Sequence, residues 1–152
     1  MANTYTSVYL HIVFAVKNRE SLIPAPWLTR VWSYIRHGID GRGHKTIAVG
    51  GTANHVHILI NYKITDLIPD LVRDIKISTS KFIESHQITP YKFAWQPGYG
   101  CFSYGASQIE AVSHYIYNQA EHHNGKSLRD EIKNYLDRCG VEYDERYLLE
   151  DV

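Results

Sequence analysis

The stretch His55-Val56-His57-Ile58-Leu59-Ile60-Asn61-Tyr62 has the alternating pattern of a β-strand with two different faces. Its second, fourth and sixth residues are valine or isoleucine and lie on one face, because side chains alternate between the two sides of a strand. The two histidines lie on the other face, about 6.5–7 Å apart along the strand. This pattern predicts a sheet with a hydrophobic core behind it and two imidazoles held on its opposite face.

The elements around this strand predict a small α+β fold. Strands and helices follow the order β-α-β-β-α-β, and further helices come after them. This order is typical of the ferredoxin-like or RRM-like split βαβ fold, an antiparallel sheet with helices on one face, here with an appended C-terminal tyrosine helix. No repeat or long linker divides the chain, so residues 1–152 are expected to form a single domain. The predicted strands cover residues 4–16, 45–50, 55–62, 91–96 and 101–104, and the predicted helices cover residues 27–39, 66–85, 107–123 and 127–139.

Composition excludes several classes of protein. The chain is 44% hydrophobic and 21% charged, which is typical of a soluble globular protein. No window approaches the roughly 20 apolar residues of a membrane span, and the N-terminus lacks the basic and apolar regions of a signal peptide. Cys101 and Cys139 form neither a disulfide framework nor a metal-binding CxxC pair. We therefore expect a cytoplasmic protein with no membrane partner.

The charge and the aromatic content are compatible with nucleic-acid binding but do not establish it. The net charge is zero, yet residues 1–125 carry 11 Lys and Arg against 8 Asp and Glu, a net charge of +3. Residues 126–152 carry 5 against 8, a net charge of −3. Twelve tyrosines and three tryptophans offer rings on which bases can stack, although packing is the commoner use of aromatic side chains.

The histidine pair is a candidate metal site. Two imidazoles on one face of a strand can converge on a single divalent cation. Two ordinary histidines would give the same pattern, so the spacing alone is a weak signal. Specific enzyme classes can nevertheless be excluded. A histidine-triad hydrolase would have a third histidine at the position of Leu59, and a two-histidine phosphodiesterase would need a second His-x-Ser or His-x-Thr motif.

The predicted helix over residues 107–123 offers a nucleophile and an oxygen ligand. Tyr115 and Gln119 are four residues apart and therefore share one face of that helix. The amide oxygen of Gln119 can bind a cation, and the hydroxyl of Tyr115 can form a covalent ester with phosphate. Tyr117 lies on the opposite shoulder of the helix and is a weaker candidate. A Tyr-x-x-x-Gln pair alone usually has no function, so its meaning depends on the histidines.

The combination of these motifs resembles one family. Residues 55–57 together with residues 115–123 are similar to the HUH single-strand DNA transposases, the single-tyrosine enzymes of the smallest bacterial insertion sequences. The REP-associated tyrosine transposases are relatives of these enzymes. Residues 9–19 resemble the first strand of the family, and residues 95–103 and 143–147 resemble later signatures.

The resemblance implies roles for four residues. His55 and His57 are expected to bind Mg²⁺ or Mn²⁺ with Gln119 as a third ligand, and Tyr115 is expected to form a 5′-phosphotyrosine and free a 3′-hydroxyl. The implied substrate is single-stranded DNA with hairpins near the ends of an element. The family often has Asp before the first histidine, where this chain has Asn54.

A homodimer with active sites shared in trans is also implied by the resemblance. The sequence adds one modest argument for it. The aromatic-rich first strand is expected at or near an edge of the sheet, where it could pair with a second copy. A break at residues 124–125 and the glycine-rich residues 98–105 could let the tyrosine helix reposition.

Two other functions remain as alternatives. A catalytically inactive or regulatory nucleic-acid-binding module could use the same fold, with its aromatic side chains as stacking platforms. Such a descendant would be expected to have lost one of the four site residues, and all four are present. A structural zinc protein would need four Cys and His ligands at compact spacing. Cys101 and Cys139 are too far apart in the sequence to form such a set.

Overall fold

A four-stranded antiparallel sheet forms the centre of the protein. The computed structural model describes residues 3–119 and 127–152. In these residues the strands lie in the order β2-β3-β1-β4, and each neighbouring pair is antiparallel. The predicted α+β, ferredoxin-like class is confirmed. The strands are β1 (Tyr9–Ala15), β2 (Lys45–Thr52), β3 (His55–Asn61) and β4 (Gly100–Tyr104).

The main hydrophobic core lies between one face of this sheet and two helices, α1 (Leu28–Gly41) and α2 (Ile68–Ser85). Both helices begin near a proline, which is tolerated in a first turn because that turn has no intrahelical acceptor for its N–H. The valine and isoleucine side chains of β3 point into this core, as predicted. The buried side chains include Ile12, Phe14, Ile35, Ile39, Val56, Ile58, Ile60, Leu71, Ile75 and Ile83.

The opposite face of the sheet is also covered. It packs against α3 (Ile109–Tyr117) and α4 (Leu128–Cys139), so the appended tyrosine helix and the last helix lie across the sheet from α1 and α2. Ser127 caps α4, since its hydroxyl accepts the N–H of Asp130. The second face carries both histidines of β3. The site is therefore enclosed between a sheet and two helices.

The first strand is internal, next to the edge strand β4, so it does not offer the free edge on which pairing with a second copy was expected. β1 pairs with β3 on one side and with β4 on the other, and the edges of the described sheet are β2 and β4. The polar alternation in residues 4–16 resembled that of a half-exposed strand. The second face of β1 is instead buried, with Val13 and Ala15 in one cluster with Leu128 and Ile132 of α4, and residues 9–15 alone form the strand.

Two other predicted elements differ from the structure. Residues 91–96 are described and form no strand, apart from a single bridge between Trp95 and Val16 that continues the line of β1. The tyrosine helix begins at Ile109 after one 3-10 turn, in which the side chain of Gln108 accepts the N–H of Gly105. Residues 120–126, which include the predicted end of this helix and the predicted break at 124–125, lie outside the described residues.

Membrane insertion by a helix finds no support in the described part of the chain. None of its helices is long and apolar enough to cross a bilayer.

Candidate active site

Strand β3 holds the two histidines side by side on the face that α3 and α4 cover. Both side chains are fully buried, and their ring centroids lie 4.9 Å apart with the planes nearly perpendicular. In the register of the sheet, His57 lies between Val13 of β1 and Gly50 of β2. Because β3 is an inner strand with paired neighbours on both sides, the backbone that carries the histidines is held firmly in place.

The ring of His55 is oriented by the turn that precedes β3. Its Nδ1 lies 2.6 Å from Oδ1 of Asn54, and the hydroxyl of Thr52 donates to the same oxygen at 2.9 Å. With Nδ1–H donating to Asn54, the Nε2 atom presents its lone pair to the space under α3. The amide oxygen of Asn54 thus orients this ring.

Gln119 reaches the same space from two residues beyond the end of α3, which stops at Tyr117 although the prediction continued it past Gln119. Its Nε2 donates to the backbone carbonyl of Tyr115 at 3.3 Å, which turns Oε1 in the other direction. Oε1 lies 2.9 Å from Nε2 of His55, and the glutamine is almost completely buried. This distance is that of a hydrogen bond, and it also suits two neighbouring ligands of one cation, since both atoms can offer a lone pair to a metal.

His57 is placed between a second histidine and a carboxylate. Its Nδ1 lies 2.7 Å from Nε2 of His11, which is also fully buried. Its Nε2 lies 3.7 Å from Oε1 of Glu131 on α4. Burial raises the pKa of Glu131 to about 7, since desolvation disfavours the ionised carboxylate. A divalent cation beside this carboxylate would favour its ionised form.

The converging atoms fit the geometry of a single divalent ion. One nitrogen or oxygen from each of His55, His57 and Glu131 lies within 4.8 Å of the others. Metal–ligand bonds of about 2.1 Å separate adjacent ligands by roughly 3.0 Å and opposite ligands by roughly 4.2 Å. The 2.9 Å between His55 and Gln119 and the 3.7 Å between His57 and Glu131 fall in or near this range. Within residues 3–119 and 127–152, no cysteine joins this group.

Tyr115 is the tyrosine that lies beside the histidines. Its ring centroid is 5.6 Å from that of His57, and the two planes are nearly perpendicular. Tyr117 is 58% exposed, and its hydroxyl accepts a hydrogen bond from Arg36 at 3.2 Å, beyond the edge strand β2. The structure therefore brings the four residues singled out in the sequence together in one chain, and it turns Tyr117 away from them.

A glycine allows the tyrosine helix to approach the sheet this closely. A Cβ atom on Gly50 would lie 2.6 Å from the carbonyl oxygen of Ile116, a distance at which the helix would have to move. Ile116 is fully buried in the resulting contact, where it packs against Ala48 and Leu59. Because Ile116 follows Tyr115 directly, this contact determines how close the side chain of Tyr115 lies to the histidine pair on the sheet.

Two residues of the site were not identified from the sequence. Glu131 follows Leu128 and precedes Ile132 on the buried side of α4, and a glutamate in such a stripe is a signal that could have been noticed. His11 lies on the polar side of the first strand. Its contact with His57 depends on the strand register, which places His11 opposite Leu59 and so diagonal to His57. That register cannot be read from either strand alone.

Comparison with known proteins agrees with the fold. No curated protein matches the chain significantly. The protein is similar to a solved structure from Deinococcus radiodurans R1 that was assigned as a transposase, with a TM-score of 0.59 and 21% identity over 78% of this chain and 96% of that one. It is also similar to the REP-associated tyrosine transposase bound to a REP hairpin, with a TM-score of 0.58 and 16% identity over 97% of this chain and 89% of that one. At these identities the two structures establish a common fold.

The family follows from the sequence match. A family model described as Transposase IS200 like matches residues 4–119, a range that contains the histidine pair, Tyr115 and Gln119. This range is most of the chain and includes every strand of the sheet. The chain therefore belongs to the family of IS200-like transposases.

Proposed function

We propose that this transposase cleaves and joins single-stranded DNA in a metal-dependent reaction with Tyr115 as the nucleophile. One observation carries the proposal: the tyrosine ring lies 5.6 Å from the ring of His57, beside a buried group of nitrogen and oxygen atoms that converge on one point. A nucleophile next to a cation-binding group is the arrangement that phosphoryl transfer requires.

Four side chains would hold the cation. His55 and His57 supply Nε2, Gln119 supplies Oε1, and Glu131 adds a carboxylate oxygen that the resemblance did not imply. Mg²⁺ and Mn²⁺ are the expected ions, because amide and carboxylate oxygens suit them. When bound, the ion supplies positive charge that polarises the scissile phosphate. The buried position of these side chains keeps competing water away and strengthens the interaction.

The proposed chemistry is a transesterification that conserves the phosphodiester bond energy. Oη of Tyr115 loses its proton and forms a bond to phosphorus, while the bond from phosphorus to the 3′ oxygen breaks. The 3′ oxygen leaves with the electron pair and becomes a hydroxyl on gaining a proton. In strand transfer a 3′-hydroxyl attacks the same phosphorus, and Tyr115 leaves and regains a proton.

Hairpin-bearing single strands are the proposed substrate class. The support is the structural similarity to a tyrosine transposase that is bound to a REP hairpin. Arg36 and Tyr117 lie together at the exposed edge of β2, where a strand leaving the site could meet a cation and a ring. The hairpin would fix the register of the strand, so that one phosphodiester reaches Tyr115.

The decisive experiment is a covalent-adduct assay. Labelled single strands from the DNA that flanks the gene, chosen for their hairpins, are incubated with the protein and Mn²⁺ and separated on a denaturing gel. We expect an adduct with the wild type and with Tyr117→Phe, and none with Tyr115→Phe. A full-strength adduct in Tyr115→Phe with loss in Tyr117→Phe would assign the nucleophile to the wrong tyrosine. Hairpin binding without any adduct in the wild type would favour the non-catalytic binding module.

The homodimer with sites shared in trans is a further proposal that now rests on the resemblance, since β1 is not an edge strand. The contacts of Ile116 and Gln119 within one chain support a site that a single chain completes. A shared site would require two copies to exchange α3, and this exchange would recreate the same contacts.

Mixing two inactive variants separates these arrangements. A shared site predicts that His57→Ala and Tyr115→Phe chains together recover part of the cleavage, because one of the two sites would combine an intact histidine pair with an intact tyrosine. A site completed by one chain predicts no recovery in verified heterodimers. Because an exchange of α3 would recreate the described contacts, recovery of cleavage decides between the two arrangements, and light scattering at the working concentration shows whether a dimer is present.

A further inference from the structure

A third buried histidine touches the histidine pair, and the proposed reaction does not use it directly. His11 of β1 is fully buried, and its Nε2 lies 2.7 Å from Nδ1 of His57. The two rings are stacked, with centroids 4.9 Å apart and planes 27° from parallel. Burying two imidazole nitrogens against each other destabilises the fold unless one donates a hydrogen bond and the other accepts it, because an unsatisfied polar group in the interior is destabilising.

The orientation of the His57 ring determines which ring nitrogen of His57 and of His11 carries the proton. Its Nε2 points to the converging group, 3.7 Å from Glu131, and must present a lone pair there to bind a cation. The proton of the neutral ring is then on Nδ1 and is donated to Nε2 of His11. His11 in turn carries its own proton on Nδ1, on the side where the hydroxyl of Tyr104 lies at 3.5 Å.

We propose that His11 is a positioning residue for His57, whose Nε2 accepts the Nδ1–H of His57 and thereby turns the other nitrogen of that ring toward the cation. The inference rests on the proposed role of His57 as a metal ligand. A ligating histidine commonly donates its second N–H to such a partner, which sets both the tautomer and the angle of the ring. In this chain the acceptor is a neutral imidazole, not a carboxylate.

The surroundings of His11 suit an acceptor. The ring is fully buried and its Nδ1 faces the hydroxyl of Tyr104, which leaves Nε2 to accept from His57. Tyr135 of α4 packs against it edge-on, with ring centroids 5.5 Å apart. Tyr135 also stacks on Phe102 of β4, with ring centroids 5.0 Å apart. The helix that brings Glu131 to the site therefore also fixes the residue that orients His57.

The test compares two substitutions of similar length. His11→Gln keeps an oxygen that can accept from His57, and His11→Met fills the same space without a comparable acceptor. His44→Gln is the control, since His44 is a buried histidine that contacts Asp66 and the backbone of Lys63, beyond the opposite end of β3 from His55. Mn²⁺ affinity is measured by electron paramagnetic resonance titration of the full chain, and thermal unfolding without metal is recorded in parallel.

We expect Mn²⁺ binding to weaken about 10- to 100-fold in His11→Met, and to stay within about threefold of the wild type in His11→Gln. His44→Gln is expected to lower the unfolding temperature and leave the affinity unchanged. Wild-type affinity in folded His11→Met would overturn the proposal. Equal weakening in all three variants would also overturn it, because affinity would then follow stability alone.

A second measurement needs neither metal nor substrate. Nitrogen-15 spectra of the metal-free protein report the tautomer of each imidazole, with His57 assigned from a His57→Asn spectrum. We expect the Nδ1–H tautomer for His57 in the wild type and in His11→Gln, and a shift toward Nε2–H in His11→Met. An Nε2–H tautomer in the wild type would exclude the inferred hydrogen bond. Loss of metal binding in the wild type would instead count against the proposed function.

Discussion

Oε1 of Glu131 lies 3.7 Å from Nε2 of His57, so the last helix of the chain brings a carboxylate to the histidine pair. Two imidazoles and an amide would leave the charge of a divalent ion unchanged. A carboxylate lowers that charge by one and holds the ion more firmly. The docking of α4 on the sheet is therefore linked to the metal site, because Glu131 lies between the buried Leu128 and Ile132.

We expect Glu131→Gln to weaken Mn²⁺ binding by about tenfold or more, or roughly 1.4 kcal/mol, because a neutral amide attracts the ion less than a carboxylate. Isothermal titration of Mn²⁺ into the protein measures the change. Asp130→Asn removes the same charge from the exposed side of the same helix and should leave the affinity unchanged. Equal losses in the two variants would show that net charge, and not ligation by Glu131, is responsible.

His57→Ala is expected to abolish cleavage while DNA hairpin binding stays largely intact. The imidazole serves the chemistry, whereas affinity for the strand comes from a wider surface. Gel-shift and cleavage assays on one labelled hairpin strand measure the two properties separately. EDTA should reproduce the loss of cleavage in the wild type, and undiminished cleavage in EDTA would remove the metal from the mechanism.

Gly50→Ala is expected to impair cleavage more than it impairs folding. The added methyl group would lie 2.6 Å from the carbonyl oxygen of Ile116, so α3 must move away from the sheet and carry Tyr115 with it. Misplacement of a nucleophile by about 1 Å can lower a rate roughly 100-fold. Gly41→Ala is the control, since nothing lies within 4 Å of its Cβ position. Single-turnover cleavage rates of the two variants give the comparison, and equal rates would contradict this role of Gly50.

Asp66 is expected to make the stability of the fold depend on pH at a place remote from the active site. Hydrogen bonds from Arg42, together with a contact to His44, hold the pKa of this carboxyl well below its usual range. A folded-state pKa below the unfolded value stabilises the protein above about pH 4. This stabilisation is lost as the pH falls toward the folded-state pKa.

The corresponding variant is Asp66→Asn, which should lower the free energy of unfolding by about 1–3 kcal/mol at pH 7. The difference from the wild type should narrow below about pH 4, where the wild-type carboxyl becomes protonated. Urea unfolding at several pH values gives both quantities. Asp74→Asn also removes an acceptor of Arg42, but Asp74 is more exposed, so its effect should be smaller. If the difference in the free energy of unfolding between Asp66→Asn and the wild type did not change with pH, the ion pair would not be the origin of that difference.

The fold class could be predicted because local patterns alone determine it. The valine and isoleucine positions of residues 55–62 lie in the main core, and the order of strands and helices is the one expected. The four site residues were singled out by their spacing taken together with the family resemblance. A spacing of two on a strand or of four on a helix fixes which side chains share a face, whatever the rest of the chain does.

Only the tertiary structure determined which side chains pack against those strand and helix faces. The sequence did not indicate that β1 is an inner strand, because its second face is covered by α4, which begins more than 100 residues later. It did not indicate His11 or Glu131 as members of the site. Each reaches His57 through a register or a helix packing that depends on contacts distant in sequence. Periodicity determines the direction in which a side chain points, and its partner is determined by the long-range packing of the whole chain.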